Sequence, residues 1–231
     1  MSSGKEEVGC VNCDRQSPIF EHLSGDELSR INSSRYSLTY QPGELIIKQG
    51  APSKYVVSFT SGLAKIVVDS GATSNMIVKL VRPQEFISGP GLFVNNRHYF
   101  SIIAIENSYA CAIEADVFKE ILQNNHKFNE AYLTYVNNNY LLVLKKLLSS
   151  FEKNTRGRVA EALLYLVNDI YGTESFDLTL SVNELASLAG MSKESAFRCI
   201  REFTDDDIIR MSKKRIEVLN LELLTEISRR G

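Results

Sequence analysis

Hydrophobic positions change their period three times along the chain. Over residues 17–36, Ile19, Phe20, Leu23, Leu28 and Ile31 recur at helical spacing, and Ser24 is placed to cap a second short helix. From Ser37 to Ala115 the pattern becomes short β-type runs: Gly43–Gly50, Tyr55–Thr60, Leu63–Asp69, Met76–Val81, Phe86–Ile87, Phe100–Glu106 and Ala110–Ile113. Ser61-Gly62, between two of these runs, reads as a tight hairpin turn. Many short strands with glycine-marked turns predict a closed or double-sheet β structure, a barrel or jelly roll. Strands alternating with long helices are absent from the pattern, which argues against a doubly wound nucleotide fold.

Residues 116–153 return to the helical period. Leu133, Val136, Tyr140, Val143 and Leu147 step by three and four, the a/d spacing of a coiled-coil seam. A second row, Leu141, Leu144, Leu148 and Phe151, lies beside the first. A helix apolar on two adjacent faces has two things to cover, here the β-domain and a second copy of the chain; the alternative is burial within its own domain. Beyond Asn154 the pattern gives a helix ending near Gly172, then helices over Val182–Ala189 and Lys193–Phe203. Strands follow at Ile208–Met211 and Arg215–Leu219. The division predicted is a β-domain over 17–127, a pairing helix over 128–153 and a helical domain over 154–231.

The last domain carries the motif with chemistry in it. Ser181-Val-Asn-Glu184 is a capping box that starts one helix, Gly190 ends it, and Ser192 caps the next. Two helices joined by a three-residue turn containing Gly form a helix-turn-helix. At 100° per residue, Ala196, Cys199, Ile200 and Phe203 fall on one side of the second helix, while Glu194, Arg198 and Arg201 fall opposite. Lys193 and Phe197 lie on a flank. Arg forks onto guanine O6 and N7, and Glu accepts from cytosine N4, so this stripe suits a major groove. Ser192 and the cations Lys213, Lys214 and Arg215, in a wing between two strands, suit phosphate contacts.

Composition limits this reading. With 44% hydrophobic residues, the 231-residue chain can bury a core, and its net charge is −2. From Glu152 onward there are 12 Lys and Arg against 14 Asp and Glu, including Asp205-Asp206-Asp207. The prediction is therefore local, sequence-specific binding with modest affinity for random DNA. No apolar run approaches the roughly 20 residues of a membrane span. The polar start of the chain and four scattered cysteines lead to the expectation of a cytoplasmic protein. No Ser/His/Asp set, phosphate-binding Walker loop or HExxH occurs, so no enzyme is expected.

In this order, an α+β chain of β-barrel, long helix and winged helix-turn-helix resembles the catabolite-activator/fumarate-nitrate-reductase (Crp/Fnr) family of bacterial transcription regulators. The resemblance spans residues 17–222. It rests on Gly91-Leu-Phe93, on Gly157-Arg-Val-Ala-Glu-Ala-Leu-Leu164, and on Leu185-Ala-x-x-Ala-Gly-Met-Ser-x-Glu-Ser-x-x-Arg198. It implies a cyclic-nucleotide-binding-like jelly roll and a homodimer on double-stranded promoter DNA, with RNA polymerase as a partner. Lys193, Glu194 and Arg198 match the family's base- and phosphate-contacting positions.

The resemblance also places an effector pocket at Gly89, Tyr99, Phe100, Val143 and Leu144. Gly89 stands where cyclic-AMP-binding members have Glu, Tyr99 and Phe100 stand for their Arg-Ser pair, and Val143 and Leu144 stand for the hydroxyl pair that meets the purine. A buried phosphate without a cation costs several kcal/mol, so cyclic AMP is not the effector expected. Cys10, Cys13 and Cys111 are the candidates for the family's iron–sulfur branch, for a zinc or thiol site, or for no metal at all. A cluster normally needs four ligands, and the branch's remaining position falls near Ile19. Cys111 reads more simply as a core residue and Cys199 as a structural one. His98, in the loop Asn95–Tyr99, is read as solvated, with haem ligation the alternative. An iron–sulfur or haem sensor, and a module that binds protein rather than DNA, therefore stand as alternative readings.

Overall fold

A computed structural model describes Cys13, residues 16–69, Gly71 and residues 75–231. After a 3₁₀ turn at Pro18–His22 comes helix α1, Gly25–Ser33, which Ser24 and Glu27 cap reciprocally. The strands are β1 Arg35–Tyr40, β2 Leu45–Ile47, β3 Tyr55–Ser61, β4 Ala64–Val68, β5 Met76–Val81 and β6 Phe86–Ile87. The short helix α2 covers Gly91–Val94, and β7 Ser101–Ala104 and β8 Ser108–Glu114 complete the set. They form two four-stranded sheets, β1-β8-β3-β6 and β2-β7-β4-β5. The arrangement is jelly-roll-like rather than a closed barrel. The expected hairpin at Ser61-Gly62 is instead a corner. Gly62 sits at φ +88°, where a Cβ would meet the Asn107 carbonyl, and β3 and β4 leave it for different sheets. Glycine content marked the turn but could not say which strand would pair with which.

The chain forms two compact units, one running up to Ala64 and over Val81–Tyr140, the other over Lys65–Leu80 and Leu141–Gly231. Helices α3, Ala115–Asn124, and α4, His126–Glu152, follow the sheets. In the first unit, α1, α3 and the start of α4 cover one face of the β1-β8-β3-β6 sheet. Phe118 is the centre of that core: its ring stacks on Phe86 at 4.9 Å and meets Phe128 and Tyr132 edge-on at 5.5 and 5.4 Å. The Tyr132 hydroxyl bonds Ser88 Oγ at 2.9 Å, and the Tyr135 hydroxyl donates to the Phe86 carbonyl. Phe128, Tyr132 and Tyr135 therefore turn α4 toward the sheet, a face that the leucine rows did not reveal.

Two cysteine and histidine expectations are corrected. Cys111 is only half-buried and lies outside the apolar core: Arg35 Nη1 donates to its Sγ at 3.5 Å, and Ser37 Oγ lies 3.9 Å away. Alternation placed it correctly in a strand but on the face shared with polar Ser37. His98 is buried, not solvated; its backbone N–H and carbonyl bond Ala51 and Gly50, and burial lowers its imidazole pKa.

Gly91 opens α2 where a Cβ would fall 1.6 Å from the Arg97 carbonyl oxygen. Because that obstacle is backbone, Gly91→Ala is expected to cost at least about 2 kcal/mol in urea unfolding. Gly25→Ala, with nothing within 4 Å of the new methyl, should be neutral or stabilising. Equal stability of the two variants would contradict this packing.

Candidate nucleic-acid interface

The second unit is built from helix α5, Thr155–Tyr165, which continues as a π-helical segment over Leu166–Tyr171, and strand β9, Ser175–Asp177. Helices α6, Val182–Leu188, and α7, Lys193–Asp205, come next. Strands β10, Ile209–Ser212, and β11, Arg215–Val218, and helix α8, Leu221–Arg230, end it. The wing is a three-stranded sheet, β10-β11-β9. Three-residue β9 and the whole of α8 had no counterpart in the sequence reading. The i, i+3 row Leu221, Leu224, Ile227 could have disclosed α8, of which Leu224 is fully buried.

Both capping signals form as predicted. Ser181 Oγ accepts from Glu184 N–H at 3.3 Å while the Glu184 carboxylate accepts from Ser181 N–H at 2.8 Å. Ser192 Oγ accepts from Ser195 N–H at 3.2 Å and starts α7. Gly190 takes the left-handed φ of +65° between the two helices, and Arg158 Nη1 donates to its carbonyl at 2.9 Å. Ala196, Cys199, Ile200 and Phe203 are all buried, and burial pushes the Cys199 thiol up to about 11. That is the behaviour of a packing residue, not a reactive one.

The opposite side of α7 faces solvent. Glu194, Phe197, Arg198 and Arg201 are exposed, as is Lys193 on the flank. Lys193 and Arg198 make no ion pair among the described residues, and Arg201 comes only to 4.0 Å from Asp205. The acidic run that weighed against generic electrostatic binding lies at the far end of α7, about 18 Å from Glu194 at 1.5 Å per residue. Its Asp206 is engaged, together with Glu202, by Arg156 at 2.8 and 3.1 Å. The Arg156 guanidinium also lies over the Phe203 ring at 4.9 Å. In the wing, Lys213 and Lys214 form the turn between β10 and β11, with Lys213 at φ +55°. Arg215 is exposed and bonds Ser175 Oγ at 2.9 Å and Asp177 at 3.5 Å, while Lys213 and Lys214 make no ion pair among the described residues.

A set of contacts missed by sequence reasoning steadies α6. Lys65 pairs with Glu184, and Ser187 Oγ accepts from Ile77 N–H at 3.0 Å. Burial works against charge on Glu184, but the bonds from Lys65 and Ser181 outweigh it and hold its pKa below the usual value. Lys146 Nζ donates to the carbonyls of Ile77, Leu188 and Val78 at 2.7, 2.8 and 3.3 Å. No local pattern links positions 65, 77, 146 and 187, so only the tertiary fold reveals this cluster.

The predicted effector residues are placed as follows. Phe100 ring carbons sit 3.1 Å from the point where a Gly89 Cβ would be, and Gly89 has φ +69°. Asn95 Nδ2 donates to the Tyr99 hydroxyl at 3.0 Å. Val143 is about half exposed on α4 and Leu144 half-buried. A cleft of about 430 Å³ beside Ser53, Lys54, Asn96 and Lys119 includes none of these residues. Cys10 lies outside the described residues, and among those described no three His, Cys, Asp or Glu side chains converge on one point.

Residues 37–125 match the model of the cyclic nucleotide-binding domain, and residues 157–227 match that of the Crp-like helix-turn-helix domain. The chain belongs to the Crp/Fnr family. It is 21% identical to the transcriptional activator protein FnrL of Cereibacter sphaeroides, over 89% of this chain and 86% of that one. It is 24% identical to the cyclic AMP receptor protein of Thermus thermophilus, over 92% and 97%. Among solved structures, a regulator of the family from Eubacterium rectale superposes with a TM-score of 0.76 at 16% identity, covering 92% of this chain and 98% of its own. This Crp/Fnr chain is accordingly a transcription regulator with a helix-turn-helix DNA-binding domain, and not an enzyme. No helix among its described residues is long and apolar enough to cross a membrane.

Burial holds the Lys146 ammonium at a pKa of about 8, against 10.5 for a free lysine, with Glu161 acting in the opposite direction. Between those pH values the unfolded chain binds a proton that the folded one has released, so this group's contribution to stability rises with pH. The unfolding free energy of wild type minus that of Lys146→Met should therefore grow from pH 8 to 10.5. A flat difference would place Lys146 in water, and a falling one would mean that folding favours its charged form.

Proposed function

We propose that the chain acts as a homodimeric, sequence-specific regulator whose two α7 helices enter successive major grooves of promoter DNA. The observation that carries this reading is the two-sided α7: one side buried in the helix-turn-helix core, the other presenting Lys193 and Arg198, without an ion pair among the described residues, beside Glu194. Ser192, Lys213 and Lys214 are assigned to phosphate, with Arg215 shaping the wing, and Arg201 extends the reading edge. The homodimer is supported by Leu133, Val136, Tyr140, Val143 and Leu147 on α4, which are between 37% and 60% exposed in the single chain. Leu141, Leu148 and Phe151 widen that strip, and a contiguous exposed apolar surface of this kind marks an interface. Residues 17–127 would carry the signal, 128–153 the pairing and 154–231 the DNA contact. A contact with RNA polymerase follows from the family.

The effector is not a cyclic nucleotide. Phe100 occupies the space beside Gly89 where the phosphate would be cradled. Neighbouring Arg97, which is exposed, donates through Nη1 to the Gly50 carbonyl at 2.7 Å. Tyr99 and Phe100, at the positions of the family's Arg-Ser pair, offer a buried phosphate no charge. The aromatic and apolar side chains at these positions suit an apolar or planar ligand, or no ligand at all.

Selection from randomised duplex DNA is expected to enrich an inverted repeat whose half-sites lie about one helical turn, ~10 base pairs, apart. Arg198→Ala should then lose about 1–3 kcal/mol at the selected site while unfolding like wild type. No enrichment, or undiminished binding by Arg198→Ala, would overturn the assignment.

A further inference from the structure

Phe197 is out of place for a solvated helix. It is 58% exposed at the middle of α7, and its exposed neighbours along the helix surface are ionic: Lys193 and Glu194 on the preceding turn, Arg198 beside it and Arg201 on the next. No ring or cation contact to Phe197 occurs among the described residues. An apolar protein surface that covered this ring would have to desolvate three cations and a carboxylate with nothing to compensate them. A DNA major groove supplies phosphates for the cations along its walls, and base edges at its floor. A phenyl ring can neither donate to nor accept from those edges, so it is blind to the donor–acceptor code. The one apolar group that the floor offers is the C5 methyl of thymine.

We infer that Phe197 is a specificity-determining residue that selects a thymine in each half-site by packing on its C5 methyl. Arg198 and Glu194 read the neighbouring base pairs by hydrogen bonding. The inference rests on the DNA-binding role proposed for α7 and adds the chemical class of one of its targets. It also explains why an exposed aromatic side chain is kept on a face otherwise built for water and charge: the ring gains only when the methyl replaces its hydration.

The test uses the full-length protein and the site it selects from random DNA. Each thymine in a half-site is replaced by deoxyuridine, which lacks only the methyl group, singly and in symmetric pairs. Wild type should lose about fourfold in affinity per half-site at one thymine position, the worth of one buried methyl group. Phe197→Ala should bind the two DNAs equally at that position. Phe197→Leu, which keeps an apolar surface, should retain part of the discrimination. Because the ring is exposed, both variants should unfold like wild type. The inference is overturned if wild type ignores every thymine methyl, or if Phe197→Ala keeps the same deoxyuridine penalty as wild type. Failure to select any site would instead remove the DNA-binding reading of α7 itself, a result distinct from either of these.

Discussion

The burial of Ala196, Cys199, Ile200 and Phe203 sets the rotation of α7 about its own axis. Turning the helix by one residue would carry a charged side chain into the core and a hydrophobic one into water, at a cost of several kcal/mol. The caps at Ser181 and Ser192 set where α6 and α7 begin, and Arg156 ties the C-terminal end of α7 to α5 through Glu202, Asp206 and the Phe203 ring. The outward stripe is thus a consequence of packing. Chemistry that would be mobile on a loop is held by a rigid element, as a reader of base edges requires.

Helix α4 meets two demands that compete for its surface. Its first turns spend aromatic residues on the sheet of the first unit, with Phe128 fully buried and Tyr132 nearly so. Farther along, its leucines and valines stay exposed and repeat at the spacing of a coiled-coil seam. Lys146, on the same helix, is drawn to backbone carbonyls in the second unit. The helix therefore carries buried aromatic residues in the first unit, a half-buried lysine in the second and an exposed apolar strip.

What could be read from the residues alone was what is encoded locally. The cap at Ser24, the capping box at Ser181, the Gly190 turn, the inner and outer sides of α7 and most strand positions follow from spacing and side-chain type over a few residues. The failures share a cause: they depend on partners distant in the chain. Ser61-Gly62 looks like a hairpin until β3 and β4 choose different sheets. Cys111 alternates like a core residue, yet the face it shares is set by Ser37 and Arg35 on β1. His98 sits in a polar stretch but is buried by the segment around Ala51. Nothing in the spacing around Lys65 and Lys146 points to the partners that the fold gives them, Glu184 and three backbone carbonyls. The acidic run Asp205–Asp207, read as arguing against generic electrostatic binding to DNA, lies at the far end of α7, and its Asp206 is paired with Arg156. The family's motifs made the architecture legible but not the effector, because the residues that depart from the family at Gly89, Tyr99 and Phe100 say what is excluded more firmly than what is bound.

Two chains joined along α4 would present a matched pair of α7 helices to the DNA. Sedimentation equilibrium of the wild type and of a Val143→Glu/Leu147→Glu variant, each run with and without the selected duplex, measures this directly. The account predicts a wild-type dimer that binds one duplex per dimer, and a folded, monomeric variant that no longer protects both half-sites. A wild-type monomer that occupies the whole site, or a double variant that remains dimeric and fully bound, would contradict it.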